Sequence, residues 1–241
     1  MTSKTGIQES QGCPVAVFDY DGTCIDGQSG TLIATWLMRN GYLSRYSVVG
    51  LLWWGIRYKL HLPFRQERAR ELIFRDLGKY TPEEVEQIMI AFHNEVLIPR
   101  YRKRAIEEIA RRREEGCLTL LVSATFETIA REAAKYLGVD GYAATSMEKD
   151  EQGRFTGRVQ GAVTEGRAKV NTATELARTC TQGCPCYIEY AYGDHHSDVE
   201  LLSTARHPFA VSPGPTLKKE ARRRRWPILD WKQDTLLAAR S

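Results

Sequence analysis

Residues 15–23, VAVFDYDGT, join a short, uninterrupted apolar run to two carboxylates that stand two positions apart, Asp19 and Asp21. Such a run is typical of a strand that is buried on both faces of a parallel sheet. Similar runs end on a hydroxyl or a carboxylate at residues 118–123 (LTLLVS) and 187–194 (YIEYAYGD). The chain is therefore predicted to repeat a unit of strand, site residue and helix, which gives an α/β fold around a mostly parallel sheet.

Helical spacing of the apolar residues fills the gap between the first two strands, over residues 27–115. Within it, Thr81 followed by Pro82 and then by Glu84 is a typical helix start. We expect the second strand to end at Ser123 and the helix after it to end at Gly138. The remaining predicted elements are an antiparallel flap at 142–163, helices at 169–178 and 198–205, a strand at 187–192 and the last core strand at 208–211.

The composition indicates a globular protein with a sizeable core, since 42% of the 241 residues are hydrophobic. The 34 basic and 30 acidic residues leave a formal charge of +4, which by itself indicates no nucleic-acid partner. Residues 1–12 are polar and are expected to form a disordered tail rather than a secretory leader. The longest apolar run, at 48–56 (VVGLLWWGI), is about half the length needed to cross a bilayer. We expect a cytoplasmic protein without a transmembrane segment.

The polar residues at the predicted strand ends form one set, together with a lysine at a predicted helix start: Asp19, Asp21, Thr23, Ser123, Asp194 and Lys169. The carboxyl ends of parallel strands meet at one edge of a sheet, where α/β proteins bind their ligands. Three carboxylates there repel each other unless a cation is present, and their oxygens suit a hard cation such as Mg²⁺. The lysine and the hydroxyls would hold a phosphate. The set is the one that phosphoryl transfer through a covalent aspartyl phosphate requires.

In four motifs, taken in order and spacing, the sequence resembles the haloacid dehalogenase superfamily, in the branch that includes phosphoserine phosphatase and bacterial lipid-phosphate phosphatases. The motifs are DYDGT at 19–23, LVSAT at 121–125, EGRAKV at 165–170 and YGDHHSD at 192–198. The resemblance implies a Rossmann-like core, residues 13–26 and 114–241, with an inserted α-helical cap of the C1 type, residues 27–113. It also implies a Mg²⁺-dependent phosphatase that acts on a small phosphorylated substrate.

The resemblance gives the carboxylates their chemical roles. Asp19 would attack phosphorus in line, and the carboxylates of Asp19 and Asp194 with the backbone carbonyl of Asp21 would bind Mg²⁺. Asp21 would protonate the leaving oxygen and then deprotonate the water that hydrolyses the intermediate. Family members that transport ions have threonine at this position, so Asp21 favours a phosphatase.

The resemblance also implies how the transferring phosphoryl group is held. Thr23, Ser123, Ala124 and Lys169 are expected to bind its oxygens. Asp198 is expected to support the metal site without binding the metal itself. The cap would close over the site, exclude water and select the leaving group.

One cap residue bears on the choice of substrate. Phosphoserine phosphatases carry an acidic residue nine positions after the nucleophile, where it receives the ammonium group of the substrate; counting from Asp19 gives Gln28. A neutral side chain cannot supply that charge pair, so we expect phosphoserine to be a poor substrate. A lipid phosphate such as phosphatidylglycerophosphate is an alternative, which rests on the tryptophans of the cap and on the local resemblance.

The apolar run at 48–56, with Trp36 and Tyr46 nearby, is expected to form the core of the cap. The alternative is an apolar groove or a membrane-facing surface for an acyl chain, because tryptophans beside Arg57 and Lys59 are typical of interfacial helices. Peripheral membrane contact therefore stays open at this point, as does the oligomeric state.

Two other groups of residues contain side chains that can bind a metal. His195 and His196 are not expected to bind the metal, since adjacent histidines in a loop point in different directions and the family's metal is bound by oxygen. Cys180, Cys184 and Cys186 are expected to be reduced thiols of the core, because they lack a second matching pair of cysteines for a zinc site.

A response-regulator receiver also uses clustered aspartates, a hydroxyl and a lysine, but the order of the motifs and the helical insert exclude it here. A catalytically silent membrane- or protein-binding module is an alternative of another class, since a fold does not guarantee activity. The presence of every required residue favours the enzyme. The arginine runs at 111–113 and 222–225 are expected to lie on solvated faces, and the alternative is that they attract an anionic substrate or membrane.

Overall fold

Strand β1 (Cys13–Phe18) lies at the centre of the sheet because its apolar residues are buried on both faces. Ala16 and Phe18 pack into one apolar cluster, while Val15 and Val17 pack into a second cluster on the opposite face. The computed structural model describes residues 12–59, 66–160 and 166–236. The predicted disordered tail, except for Gly12, lies outside the described residues.

The other strands of the described residues are β2 (Leu118–Phe126), β3 (Gly141–Lys149), β4 (Phe155–Gln160), β5 (Cys186–Gly193), β6 (His207–Val211) and β7 (Ile228–Leu229). They form one sheet with β1 in the order β4-β3-β2-β1-β5-β6-β7. All neighbouring strands run parallel except β3 and β4, which form the predicted antiparallel flap. The mostly parallel sheet is as the sequence predicts.

The α-helices of the described residues are α1 (Ser29–Arg39), α2 (Arg45–Lys59), α3 (Gln66–Leu77), α4 (Pro82–Phe92), α5 (Lys103–Glu114), α6 (Glu127–Leu137), α7 (Arg167–Cys180), α8 (Val199–Thr204) and α9 (Pro215–Arg224). At the start of α4, the Glu84 amide donates to Oγ1 of Thr81, and the Thr81 amide donates to Oε2 of Glu84. This reciprocal cap confirms the predicted helix start. Gly138, in the left-handed conformation, ends α6 as predicted.

Helices α1 to α4 lie between β1 and β2 in the chain, where the sequence predicts a helical cap. Among them, α1 contacts β2, α3 contacts β4 and α4 contacts α6. Helix α5, which the predicted cap range of 27–113 includes, packs directly against β2 of the sheet. The division into core and cap stays a prediction.

Two connecting segments, residues 19–28 between β1 and α1 and residues 93–102 between α4 and α5, are joined by backbone hydrogen bonds. The Asp26 amide donates to the Arg100 carbonyl at 2.9 Å, and the Arg102 amide donates to the Cys24 carbonyl at 2.9 Å. Residues 231–236 bind beside the second of these segments, where the Lys103 amide donates to the Asp234 carbonyl at 2.8 Å. The buried Arg102 guanidinium donates a hydrogen bond to the Trp231 carbonyl and another to Oδ1 of Asp26. Residues 231–236 are therefore linked to both connecting segments.

Two strand predictions are wrong at their ends. The second strand does not end at Ser123, because β2 continues to Phe126. Its pairing with β3 shifts register between Val122 and Phe126, so this stretch is irregular but still extended. Residues 208–211 belong to β6, yet β6 is not the last strand, because the short β7 pairs beyond it.

Arg112 contradicts the expectation that the run at 111–113 is solvated. Its side chain is buried, its guanidinium lies 3.8 Å over the centre of the Tyr190 ring, and it donates to Glu108 at 2.5 Å and to Glu115 at 2.6 Å. An ion pair with two carboxylates and an aromatic face offsets the cost of burying the charge. The run at 222–225 is exposed, as expected.

The expectation that the cysteine cluster belongs to the core is wrong for two of its members. Cys180 ends α7 and Cys184 lies in the turn before β5, and both are exposed, while Cys186 is half-buried at the start of β5. The two exposed cysteines lie at the end of α7 and in the turn after it, outside the buried strands of the sheet. All six cysteines are free thiols.

The expectation that residues 48–56 form the core of the cap is wrong for one side of α2. Leu51 is buried, whereas Val49, Leu52 and Trp53 are exposed. The helix packs against α3, and these three apolar residues on its other side face solvent. No helix in the described part of the chain is long and apolar enough to span a membrane.

Candidate active site

Asp19 follows β1 directly and is held at the centre of the sheet edge. Its amide donates to the Tyr192 carbonyl of β5 at 3.0 Å, and its carboxylate is buried. The buried Lys169, from the first turn of α7, donates to Oδ1 of Asp19 at 2.5 Å and to Oδ1 of Asp198 at 2.6 Å. The structure thus brings together three residues that the first, third and fourth motifs supply.

Charges are concentrated at this point. Burial raises the pKa of Asp19 to about 7, an effect that Lys169 opposes and Asp198 increases. Burial alone would lower the pKa of Lys169, but the attraction of Asp19 and Asp198 outweighs it and raises the pKa. Lys169 is therefore a permanent cation that orients the carboxylate of Asp19.

Asp194, at the end of β5, completes a group of three carboxylates with Asp19 and Asp198, whose candidate ligand oxygens lie within 4.8 Å of one another. Burial, followed by the charges of Asp19 and Asp198, raises the pKa of Asp194 to about 8. Oδ1 of Asp194 is buried and has no hydrogen-bond partner among the described residues. A buried carboxylate oxygen without a partner, beside other carboxylates, suits a hard divalent cation, which would favour their ionised forms.

Asp198 differs from the other two carboxylates in its contacts. Its Oδ1 accepts from Lys169 and its Oδ2 accepts from the His195 amide at 3.1 Å, so both oxygens already have donors. This arrangement agrees with a residue that positions Lys169 rather than one that binds the cation. The exposed His195 contacts Ser197 through Nδ1, and His196 is exposed as well.

Asp21 is held by the start of α1. The Ser29 amide donates to Oδ1 of Asp21 at 2.7 Å, and the Ser29 hydroxyl donates to Oδ2 at 2.9 Å. The same hydroxyl lies 2.6 Å from Oγ1 of Thr125. Burial raises the pKa of Asp21 to about 6, although the bonds from Ser29 and the charges of Lys169 and Arg70 oppose the rise. Both the acid and the carboxylate of Asp21 are accessible near neutral pH.

The remaining predicted residues lie around this group. Thr23 is buried, and its hydroxyl has no partner among the described residues. The Ser123 hydroxyl accepts from the Thr125 amide at 3.1 Å, and Ala124 is half-buried. Gln28 is exposed and directly precedes Ser29 at the start of α1. Whether these side chains contact a substrate stays a prediction.

Three residues of the site were missed in the sequence. Ser29 gives no signal beyond being a helix-start residue, and Thr125 was overlooked because the strand was predicted to end at Ser123. Arg70, in α3, is close enough to lower the pKa of Asp21. It lies in an arginine-rich helix in which the sequence does not distinguish one arginine from another.

Comparison with known proteins identifies the family. Residues 16–203 match the profile described as haloacid dehalogenase-like hydrolase. The chain belongs to this family. The motif-based expectations of the superfamily, of its Rossmann-like parallel-sheet core and of a hydrolase are therefore confirmed.

Curated relatives of this hydrolase carry the names of phosphatases. The histidinol-phosphatase of Neisseria meningitidis serogroup C is 25% identical over 224 residues, which cover 90% of this chain and 99% of the relative. Phosphoserine phosphatase SerB1 of Mycobacterium tuberculosis is 27% identical over 225 residues, covering 90% of this chain and 70% of SerB1.

A similar solved structure is a protein of unknown function from Bordetella pertussis Tohama I. It superposes with a TM-score of 0.81 at 26% identity, and the match covers 92% of this chain and 100% of that protein. A superposition that covers this much of both chains shows that the two proteins share a fold.

Proposed function

We propose that this hydrolase is a Mg²⁺-dependent phosphatase that cleaves a phosphomonoester through an aspartyl phosphate on Asp19, with Asp21 as general acid and base. The observation that carries the proposal is the contact of Asp19 with Lys169 beside Asp21, whose carboxylate Ser29 holds with two hydrogen bonds. We also propose a cytoplasmic location, as expected from the sequence.

In the first step, a carboxylate oxygen of Asp19 forms a bond to phosphorus while the bond from phosphorus to the leaving oxygen breaks. The protonated Asp21 gives its proton to that oxygen and becomes a carboxylate. Lys169 keeps Asp19 in position and offers positive charge to the transferring oxygens. The hydroxyls of Thr23 and Ser123 would also bind these oxygens, and the Thr23 hydroxyl has no other partner among the described residues.

In the second step, the Asp21 carboxylate takes a proton from water, whose oxygen attacks phosphorus and releases Asp19. The raised pKa of Asp21 allows it to hold and to release this proton near neutral pH. The residues that would hold Mg²⁺ are Asp19, Asp194 and the backbone carbonyl of Asp21. When bound, the cation supplies charge neutralisation at the transferring phosphoryl group.

Substitution of Asp19 tests the proposal. Asp19→Asn should abolish Mg²⁺-dependent hydrolysis of p-nitrophenyl phosphate, because an amide cannot form the aspartyl phosphate. Glu151→Gln, which removes an exposed carboxylate from the turn before β4, is the matched control and should behave as the wild type. Retained activity in Asp19→Asn would refute the nucleophile assignment. A wild type that is silent on a panel of phosphomonoesters with Mg²⁺ would favour the binding-module alternative.

The relatives' names suggest small phosphorylated amines as substrates, namely histidinol phosphate and phosphoserine. Gln28 is neutral and stands at the cap position where phosphoserine phosphatases place an acid, so we propose that phosphoserine is turned over poorly. Efficient phosphoserine turnover in steady-state kinetics would contradict this.

A lipid phosphate is the second candidate, which the exposed apolar side of α2 favours. Hydrolysis of phosphatidylglycerophosphate should then exceed that of its deacylated form. Equal rates for the two compounds would count against a lipid substrate.

A further inference from the structure

Helix α2 exposes a row of large apolar side chains to solvent. The exposed fractions are 70% for Tyr46, 66% for Val49, 54% for Leu52 and 60% for Trp53. Tyr46, Val49 and Trp53 are spaced by three and four residues, which puts them on one side of the helix. Single exposed apolar residues are common, but a contiguous row of them marks a binding surface.

The row lies away from the side of α2 that packs within the cap, except that the Arg75 guanidinium of α3 lies 4.9 Å over the centre of the Tyr46 ring. Ser47 and Leu51, which are buried, lie on the other side of the helix. There α2 approaches α3 closely, since a Cβ on Gly50 would lie 2.8 Å from a methyl carbon of Leu72. The helix is therefore fixed to the protein by one apolar side and presents a second apolar side outward.

The sequence that contains the row carries charge of one sign. Residues 27–66 contain no aspartate or glutamate, while they contain five basic residues, Arg39, Arg45, Arg57, Lys59 and Arg65. Arg39 and Arg45 are exposed. A helix that combines exposed tryptophan, tyrosine and aliphatic residues with basic residues is typical of segments that lie in the plane of a membrane interface.

We propose that the exposed side of α2 docks the cap on an anionic lipid bilayer. Val49, Leu52 and Trp53 would enter the interfacial region, and the exposed Arg45 at the start of α2 would contact anionic headgroups. A second copy of the chain fits less well, because two α2 helices face to face would bring the Arg45 side chains of both copies together, and residues 27–66 contain no acidic residue to pair with them. This docking does not depend on the proposed phosphatase activity.

Vesicle co-sedimentation of the full chain tests the docking. The wild type should bind vesicles that contain phosphatidylglycerol and should bind pure phosphatidylcholine vesicles much more weakly. Raising the salt from about 0.1 M to about 1 M should release it, because the screening length falls from roughly 10 Å to roughly 3 Å. Absence of binding to the anionic vesicles would overturn the proposal.

Single substitutions locate the surface. Trp53→Ala should lower the vesicle partition coefficient about tenfold, which corresponds to the loss of one large buried apolar side chain. Leu52→Ser is a second variant in case the first fails to fold, and circular dichroism melting checks both. Ile228→Ala, a partly exposed apolar residue of β7, is the matched control and should bind as the wild type.

Two results would overturn the proposal even if the protein binds vesicles. One is equal binding by wild type, Trp53→Ala and Leu52→Ser. The other is a wild-type dimer in sedimentation velocity that becomes a monomer in Trp53→Ala, since the row would then be an interface between two copies.

Discussion

Gly22 combines a left-handed backbone with close contact to Asp194, a carboxylate that we propose binds the metal. Its φ is +76°, and a Cβ at this position would lie 2.1 Å from Oδ2 of Asp194. Gly22→Ala therefore has two effects. The left-handed backbone costs about 1–2 kcal/mol of unfolding free energy for any residue with a side chain. In addition, the Asp194 carboxylate has to move by about 1 Å, because Cβ atoms essentially never approach another heavy atom closer than 3.0 Å.

A misplacement of about 1 Å at a reacting centre can cost about a hundredfold in rate. We expect kcat/KM of Gly22→Ala for p-nitrophenyl phosphate to fall by that factor, and the Mg²⁺ concentration for half-maximal activity to rise. The unfolding free energy should fall by about 1–2 kcal/mol in urea denaturation.

Gly116 provides the matched control. It has φ +83°, and no atom of its surroundings, among the described residues, lies within 4 Å of an added Cβ. Gly116→Ala should lose a similar unfolding free energy but keep the activity and the Mg²⁺ dependence of the wild type. Wild-type activity in Gly22→Ala, or an equal loss in both variants, would refute the reasoning.

Two further predictions concern pKa values. Ser29→Ala removes a hydrogen bond that lowers the pKa of Asp21, so this pKa should rise from about 6. The alkaline limb of the pH profile of kcat/KM should then move to higher pH. Ser203→Ala, at an exposed hydroxyl, is the control, and an unmoved limb in Ser29→Ala would contradict the role of Ser29. Burial would raise the pKa of Asp76, but hydrogen bonds from Lys79, Ser47 and Ser44 outweigh it and lower the pKa to about 2. Because a lowered folded-state pKa stabilises above the unfolded value, this contribution, on the order of 2 kcal/mol, is present above about pH 4 and is lost as the pH falls toward 2. Asp76→Asn should remove it at neutral pH, which urea denaturation across this pH range checks; a variant as stable as the wild type at pH 7 would contradict the assignment.

The sequence predicted the sheet well because its strands are short apolar runs, and a run that ends on Asp19 or Asp194 defines both the strand and the site. Parallel pairing then brings strand ends from distant parts of the chain to one edge. Lys169 was found because its motif stands in the expected order.

Other features depend on contacts that no local pattern records. Ser29 and Thr125 are ordinary residues until the fold places their hydroxyls 2.6 Å apart beside Asp21. Arg112 looks like its solvated neighbours, yet it is buried because Tyr190 and Glu108 surround it. The exposure of Trp53 follows from which side of α2 meets α3, and an apolar run does not show that.

The hydrogen bonds between residues 231–236 and the segments that connect the inserted helices to the sheet constrain how those helices can move. Arg102 and Lys103 stand where the inserted helices return to the sheet, and residues 231–236 hold them through backbone and guanidinium bonds. If the inserted helices move to admit substrate, residues 231–236 have to move with them or their hydrogen bonds have to break. Proteolysis after residue 230 would therefore change how fast the insert moves while every carboxylate of the reaction centre stays intact.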